Sequence, residues 1–126
     1  MLVDDSLIVL TSGGGVSLGT VQLGQKVISP KIGMLNEIVN ISKQQYSGDI
    51  YVIYLPNGKE LKVTCGQNIY TENRGWVTVS NLSKNDILLY GKDNIIDIKR
   101  EKYNGYAYLV TMLYEDGFYV NGVRVR

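Results

Sequence analysis

No stretch of this sequence holds apolar residues at helical spacing for three turns. β-prone runs alternate instead with tight-turn signals, and that punctuation confines the chain to an all-β fold. Asn57-Gly58, Asn104-Gly105 and Asn121-Gly122 each stand between runs rich in Val, Ile or Tyr. Asn-Gly favours the two-residue hairpin because both positions tolerate positive φ. Parallel α/β layouts need crossover helices that the pattern does not supply.

Read in order, the strand candidates are Lys26 to Ser29, Met34 to Ile41, Asp49 to Leu55 and Leu61 to Thr64. Asn68 to Thr71, Trp76 to Val79, Asp86 to Tyr90 and Ile95 to Lys102 follow, then Tyr106 to Met112, Phe118 to Val120 and Val123 to Val125. Ser80 to Asn85 reads as one turn of helix or an open turn. The expectation is a compact fold of about ten short, mostly antiparallel strands and hairpins. At the start, Ser6 to Leu10 is a short strand candidate, and Gly13 to Gly19 is too rich in glycine for a central strand. Residues 1–17 therefore read as an N-terminal strand and Gly-rich arm, and 18–126 as the β domain. The arm carries no GxxxxGK[ST] spacing, so it is no phosphate loop.

Composition removes several chemistries. With 126 residues there is room for one core. One Cys excludes an internal disulfide and any multi-cysteine zinc site. Histidine is absent, which takes away the usual general base and the imidazole ligand. No metal and no cofactor is expected. A net charge of +1 gives no overall field for nucleic acid or anionic lipid. No run approaches the roughly 20 apolar residues of a bilayer span. Acid near the start argues against a signal peptide, so an intracellular product or a part of a particle assembled inside a cell is expected.

The order of the central features resembles a Hint domain, the fold shared by inteins and the autoprocessing part of Hedgehog proteins. The likeness is carried by Met34-Leu-Asn-Glu-Ile-Val-Asn-Ile41, Tyr46 to Ile53, Asn57 to Thr71, Arg74-Gly-Trp-Val77 and Leu82 to Ile87. It continues in Gly105-Tyr-Ala-Tyr-Leu-Val110 and Phe118 to Val125. The resemblance implies a reaction in which a Cys or Ser attacks the carbonyl before it. A Thr-x-x-His element polarises that bond and protonates the departing nitrogen.

This sequence departs from the pattern at each position so placed. The Thr-x-x-His element reads Thr64-Cys-Gly-Gln67, and an amide cannot exchange a proton near neutral pH. The first nucleophile aligns near Val21, which has no nucleophilic atom. Arg126 lies where the final His is expected, and the Asn that follows it in inteins is missing. Cys65 reads as inert packing in a small apolar gap, and Thr64, Gln67 and Trp76 as remnants around a former cleft.

The resulting expectation is a degenerate Hint domain that is not an enzyme. It would be a structural or protein-interaction module, with a tailed-phage particle as one setting. Its partners would be other proteins, copies of itself or virion subunits, met through Leu7, Ile8, Val9, Tyr106, Tyr108 and Arg124. Two alternatives stand beside it. One is a self-processing element, supported by the frame and Thr64. The other is a small barrel binding single-stranded nucleic acid through Lys99, Arg100, Lys102, Arg124 and Arg126 near Tyr103, Tyr106 and Tyr108. Glu101, Glu115 and Asp116 interrupt that patch, so nucleic acid is not the expected partner.

Overall fold

A computed structural model describes residues 1–3, 7–9, 15–30, 34–88 and 95–126, with the side chains at 7–9, 15, 16 and 57 left aside. The described residues hold eleven strands, three short 3-10 turns and no α-helix. The strands are β1 (Leu2–Val3), β2 (Leu7–Val9), β3 (Gly15–Ser17), β4 (Lys26–Ile28), β5 (Leu35–Tyr54) and β6 (Glu60–Thr64). β7 (Asn68–Thr71), β8 (Gly75–Thr78), β9 (Asp97–Met112), β10 (Phe118–Val120) and β11 (Val123–Val125) complete the set. The all-β expectation holds.

Two strands are far longer than the local sequence suggests. β5 joins the runs at 34–41 and 49–55, and β9 joins those at 95–102 and 106–112. They pair antiparallel from Tyr54↔Asp97 to Ile38↔Met112, with a bulge at Val39. Asn104-Gly105 is therefore no turn: it lies inside β9, opposite Ser47 and Tyr46. The reason is a pair of aromatic covers. Tyr103 lies over Gly105, where an added Cβ would come within 2.6 Å of the phenol oxygen, and Tyr46 lies over Gly48 at 3.2 Å. The register sets Tyr46 against Gly105 and Gly48 against Tyr103. Each hydroxyl donates to the carbonyl three residues on, Tyr46 to Asp49 and Tyr103 to Tyr106, both at 2.8 Å. The rings replace the packing that glycine lacks in a strand. Asn121-Gly122, by contrast, is the two-residue turn between β10 and β11, with φ of 50° and 82°.

One sheet runs β4-β5-β6-β1-β9, and β9 also pairs with β5, so β5, β6, β1 and β9 close into a ring. The other runs β3-β2-β10-β11-β7-β8. Residues 1–3 and 7–9 thus enter both sheets: Leu2 pairs with Val63 and Tyr108, and Ile8 with Val120 and Val16. Successive strand residues face opposite ways. Leu2 accordingly enters the main core with Ile38, Ile53, Leu61, Ile69 and Val120, while Val3 joins a smaller cluster with Ile50 and Val52 under Tyr46, Tyr54 and Tyr103. Burying each such aliphatic side chain is worth about 1.5–3 kcal/mol.

Candidate functional site

β6 leaves the first sheet and β7 enters the second through one turn, Thr64-Cys65-Gly66-Gln67, closed by the Gln67 N–H donating to the Thr64 carbonyl at 3.1 Å. Both described ends of the chain meet this turn. The Met1 nitrogen donates to Thr64 Oγ1 at 2.7 Å, and the Thr64 N–H donates to the Met1 carbonyl at 3.0 Å. On the other side Gln67 Nε2 donates to the Arg126 carbonyl at 2.9 Å and to the Asn68 carbonyl at 3.2 Å. Thr64 and Gln67 are buried, at 5% and 8% exposure. Burial pushes the Met1 amino group below its ordinary range, and the nearby Cys65 acts the other way.

The residue set on Thr64 is Met1, not Val21; Val21 packs against the main core just past the 3-10 turn Leu18–Thr20. Sequence reasoning missed Met1 because a two-residue strand has no periodicity to read. Cys65 is exposed, so it fills no apolar gap. Tyr108 is a core residue at 6% exposure and offers no surface to a partner. Tyr106 is half exposed, with Lys43 Nζ 4.2 Å above its ring. The side chains of Leu7, Ile8 and Val9 lie outside the described part of the structure. Of the basic residues, Arg100 and Lys102 are paired with Asp49 at 2.6 and 3.0 Å.

A ladder of cations and rings borders the turn. Tyr70 and Trp76 face each other across β7 and β8 and meet edge-on, with centroids 5.4 Å apart. The Arg124 guanidinium lies 4.2 Å from the Tyr70 centroid, and Arg126 lies 4.3 Å from that of Trp76. Such contacts add about 0.5–2 kcal/mol each. Trp76 thereby holds the side chain of the same residue whose carbonyl Gln67 holds.

The loop beyond β8 is tied back by Asp86. Its carboxylate accepts from Arg74 Nε at 2.9 Å and Nη2 at 2.7 Å, from the Ser83 N–H at 2.8 Å and from Asn73 Nδ2 at 2.9 Å. Arg74, then the Ser83 and Asn73 donors, outweigh burial and lower its pKa to about 2 from 3.8. A carboxyl whose pKa is lower folded than unfolded stabilises above the unfolded value and loses that contribution as pH falls through the folded one. The expected result is about 2 kcal/mol of stability that is present at pH 5 and lost progressively as the pH falls to about 1. Urea unfolding across that range checks it. Asp86→Asn should flatten the acid limb, and an unchanged limb would assign it to other carboxylates.

No protein-family model and no curated protein matches the chain. Solved structures do. An intein-like domain from Clostridium thermocellum aligns over 98% of this chain and 96% of its own, at 19% identity and a TM-score of 0.81. A DnaB intein from Synechocystis sp. PCC 6803 aligns over 98% and 95%, at 20% identity and a TM-score of 0.82. The Msm DnaB1 intein splicing domain, bound with zinc in its own structure, aligns over 99% and 98%, at 19% identity and a TM-score of 0.79. These likenesses overturn the expectation that the chain is no enzyme. It matches an intein splicing domain almost end to end, so missing histidine does not by itself place it among inert modules. The fold of this chain is that of the intein and intein-like domains.

Proposed function

We propose that this chain is a self-processing domain of the intein type, acting on peptide bonds joined to its own ends. One observation carries the reading. The Met1 nitrogen and the Arg126 carbonyl, 125 positions apart, are held by Thr64 and Gln67 at the two ends of a single turn. Intein structures of the same fold, over nearly the same length, support it. This reading takes the place of the structural module expected from the missing histidine.

The chemistry runs without imidazole. Met1 carries a thioether, which holds no proton to give up and cannot form a stable acyl product. The turn's own side chains with an exchangeable proton on O or S are the Thr64 hydroxyl and the Cys65 thiol. Cys65 Sγ would attack the carbonyl carbon of a residue preceding Met1 as it gives up its proton. A thioester forms as the C–N bond breaks, and the nitrogen held on Thr64 Oγ1 leaves as an amine carrying, in net, the proton that the Cys65 thiol gives up. Water then hydrolyses the thioester and returns the thiol. At the other junction Gln67 Nε2 polarises the Arg126 carbonyl, as a preorganised amide donor does wherever negative charge develops on oxygen.

The test is the chain flanked by short peptides at both ends, followed by intact mass with and without a strong thiol. Release of the N-terminal flank, faster with thiol and lost in Cys65→Ser, is the expected result. A cooperatively folding precursor that keeps its full mass for days would overturn the reading.

A further inference from the structure

An open pocket of about 360 Å³ lies beside the ladder, walled by Leu109, Val110, Met112, Tyr114, Phe118 and Arg126. Its volume is at the small end of the range for ligand pockets, about 300–1,000 Å³. The wall is largely apolar, and Leu109 and Tyr114 are each nearly half exposed at its rim. Leu113, next to Tyr114, is 53% exposed. The charged groups of the lining are Arg126 and Glu115.

The pocket is built, not incidental. Its loop is fixed by Asn36, which is 1% exposed. Asn36 Nδ2 donates to the Tyr114 carbonyl at 3.0 Å and to the Gly117 carbonyl at 3.1 Å. Its Oδ1 accepts from the Tyr114 N–H at 2.9 Å and from the Glu37 N–H at 3.0 Å. The amide uses its full donor and acceptor capacity on this loop and its own strand. The Leu113 N–H adds a bond to the Glu37 carbonyl at 2.8 Å.

Arg126 belongs to two sites at once. Its carbonyl rests on Gln67, and the residue itself lines the pocket. Successive Cα atoms are about 3.8 Å apart, so a peptide running on from that carbonyl starts at the pocket. We infer that the pocket is a subsite for an apolar side chain of the peptide flanking Arg126; this rests on the self-processing reading. Continuity with the junction names the occupant, and the apolar wall names its chemistry. The pocket would therefore select which flanking sequences the domain seats well: large apolar residues above acidic or small ones.

Two measurements test it. In the first, the isotope-labelled chain is titrated with acetyl-Gly-Phe-Gly-amide and acetyl-Gly-Asp-Gly-amide, and shifts are followed by NMR. The Phe peptide should move Leu109, Met112 and Phe118 and bind at least about tenfold tighter, the scale for one buried aromatic side chain. Leu109→Asp, at a half-exposed position, should remove most of that advantage. Shifts confined elsewhere, or equal binding of both peptides, would overturn the subsite. In the second, flanked precursors carry Phe or Asp directly after Arg126. Processing that is indifferent to this residue, with no peptide binding, removes the subsite and leaves the self-processing reading standing. Pocket binding of the Phe peptide with no processing of either precursor does the reverse.

Discussion

Replacing Asn36 with alanine should lower the unfolding free energy by about 3 kcal/mol and the melting temperature by roughly 10 °C. The substitution strips partners from the Tyr114 N–H, the Tyr114 and Gly117 carbonyls and the Glu37 N–H together. A buried group left unpaired costs about 1–3 kcal/mol, and water entering the vacated space recovers part of the total. Asn36→Asp should recover little, because a carboxylate accepts but does not donate and the two carbonyls would then face it. Thermal and urea unfolding read the loss. A drop below about 1 kcal/mol would mean that the 113–117 loop is held by its other contacts, and the pocket wall would lose its anchor.

Gly117→Ala should cost about 3–4 kcal/mol. Its φ is +89°, and an added Cβ would run into the Val125 carbonyl and touch the Trp76 ring at 3.0 Å. Positive φ costs an L-residue roughly 1–2 kcal/mol, and forcing atoms into a packed site adds typically 1–3. Val125 pairs with Phe118 and Ile69, so any retreat pulls on the strand that delivers Arg126. Gly66→Ala in the turn is the control. Nothing lies within 4 Å of its added Cβ and its φ is not positive, so the change should stay within about 0.5 kcal/mol. Equal losses at the two glycines would show that backbone entropy, not the close approach at Gly117, sets the cost.

The three Asn-Gly pairs show what could be read locally and what could not. At 121–122 the dipeptide makes the turn it signals, because both residues take positive φ and the strands on either side are short. At 57–58 it lies in a 3-10 turn, with Gly58 at φ +73°. At 104–105 the same dipeptide sits mid-strand, since Tyr103 covers Gly105 and a partner strand more than fifty residues away supplies the ladder. That partnership has no local signature.

The site divides the same way. Thr64 and Gln67 were visible as a spaced pair in one segment. Met1 and Asn36 act through contacts 63 to 81 positions distant, and nothing in their neighbours' composition announces them. The ladder was half visible: Trp76, Arg124 and Arg126 stood out by type, but only the pairing of β7 with β8 and β11 brings them together.

The place of β1 between β6 and β9 also sets a clock. Leu2 needs Val63 on one side and Tyr108 on the other. A ribosome adds roughly 5–20 residues per second. From the emergence of Val3 to that of Tyr108, about 5 to 20 seconds of synthesis pass at that rate. Throughout that interval the first residues lack their second neighbour and the ring stays open. The seat of Met1 between these strands is thus completed only when most of the chain has been made, and on the proposed reading translation itself would delay any cutting there.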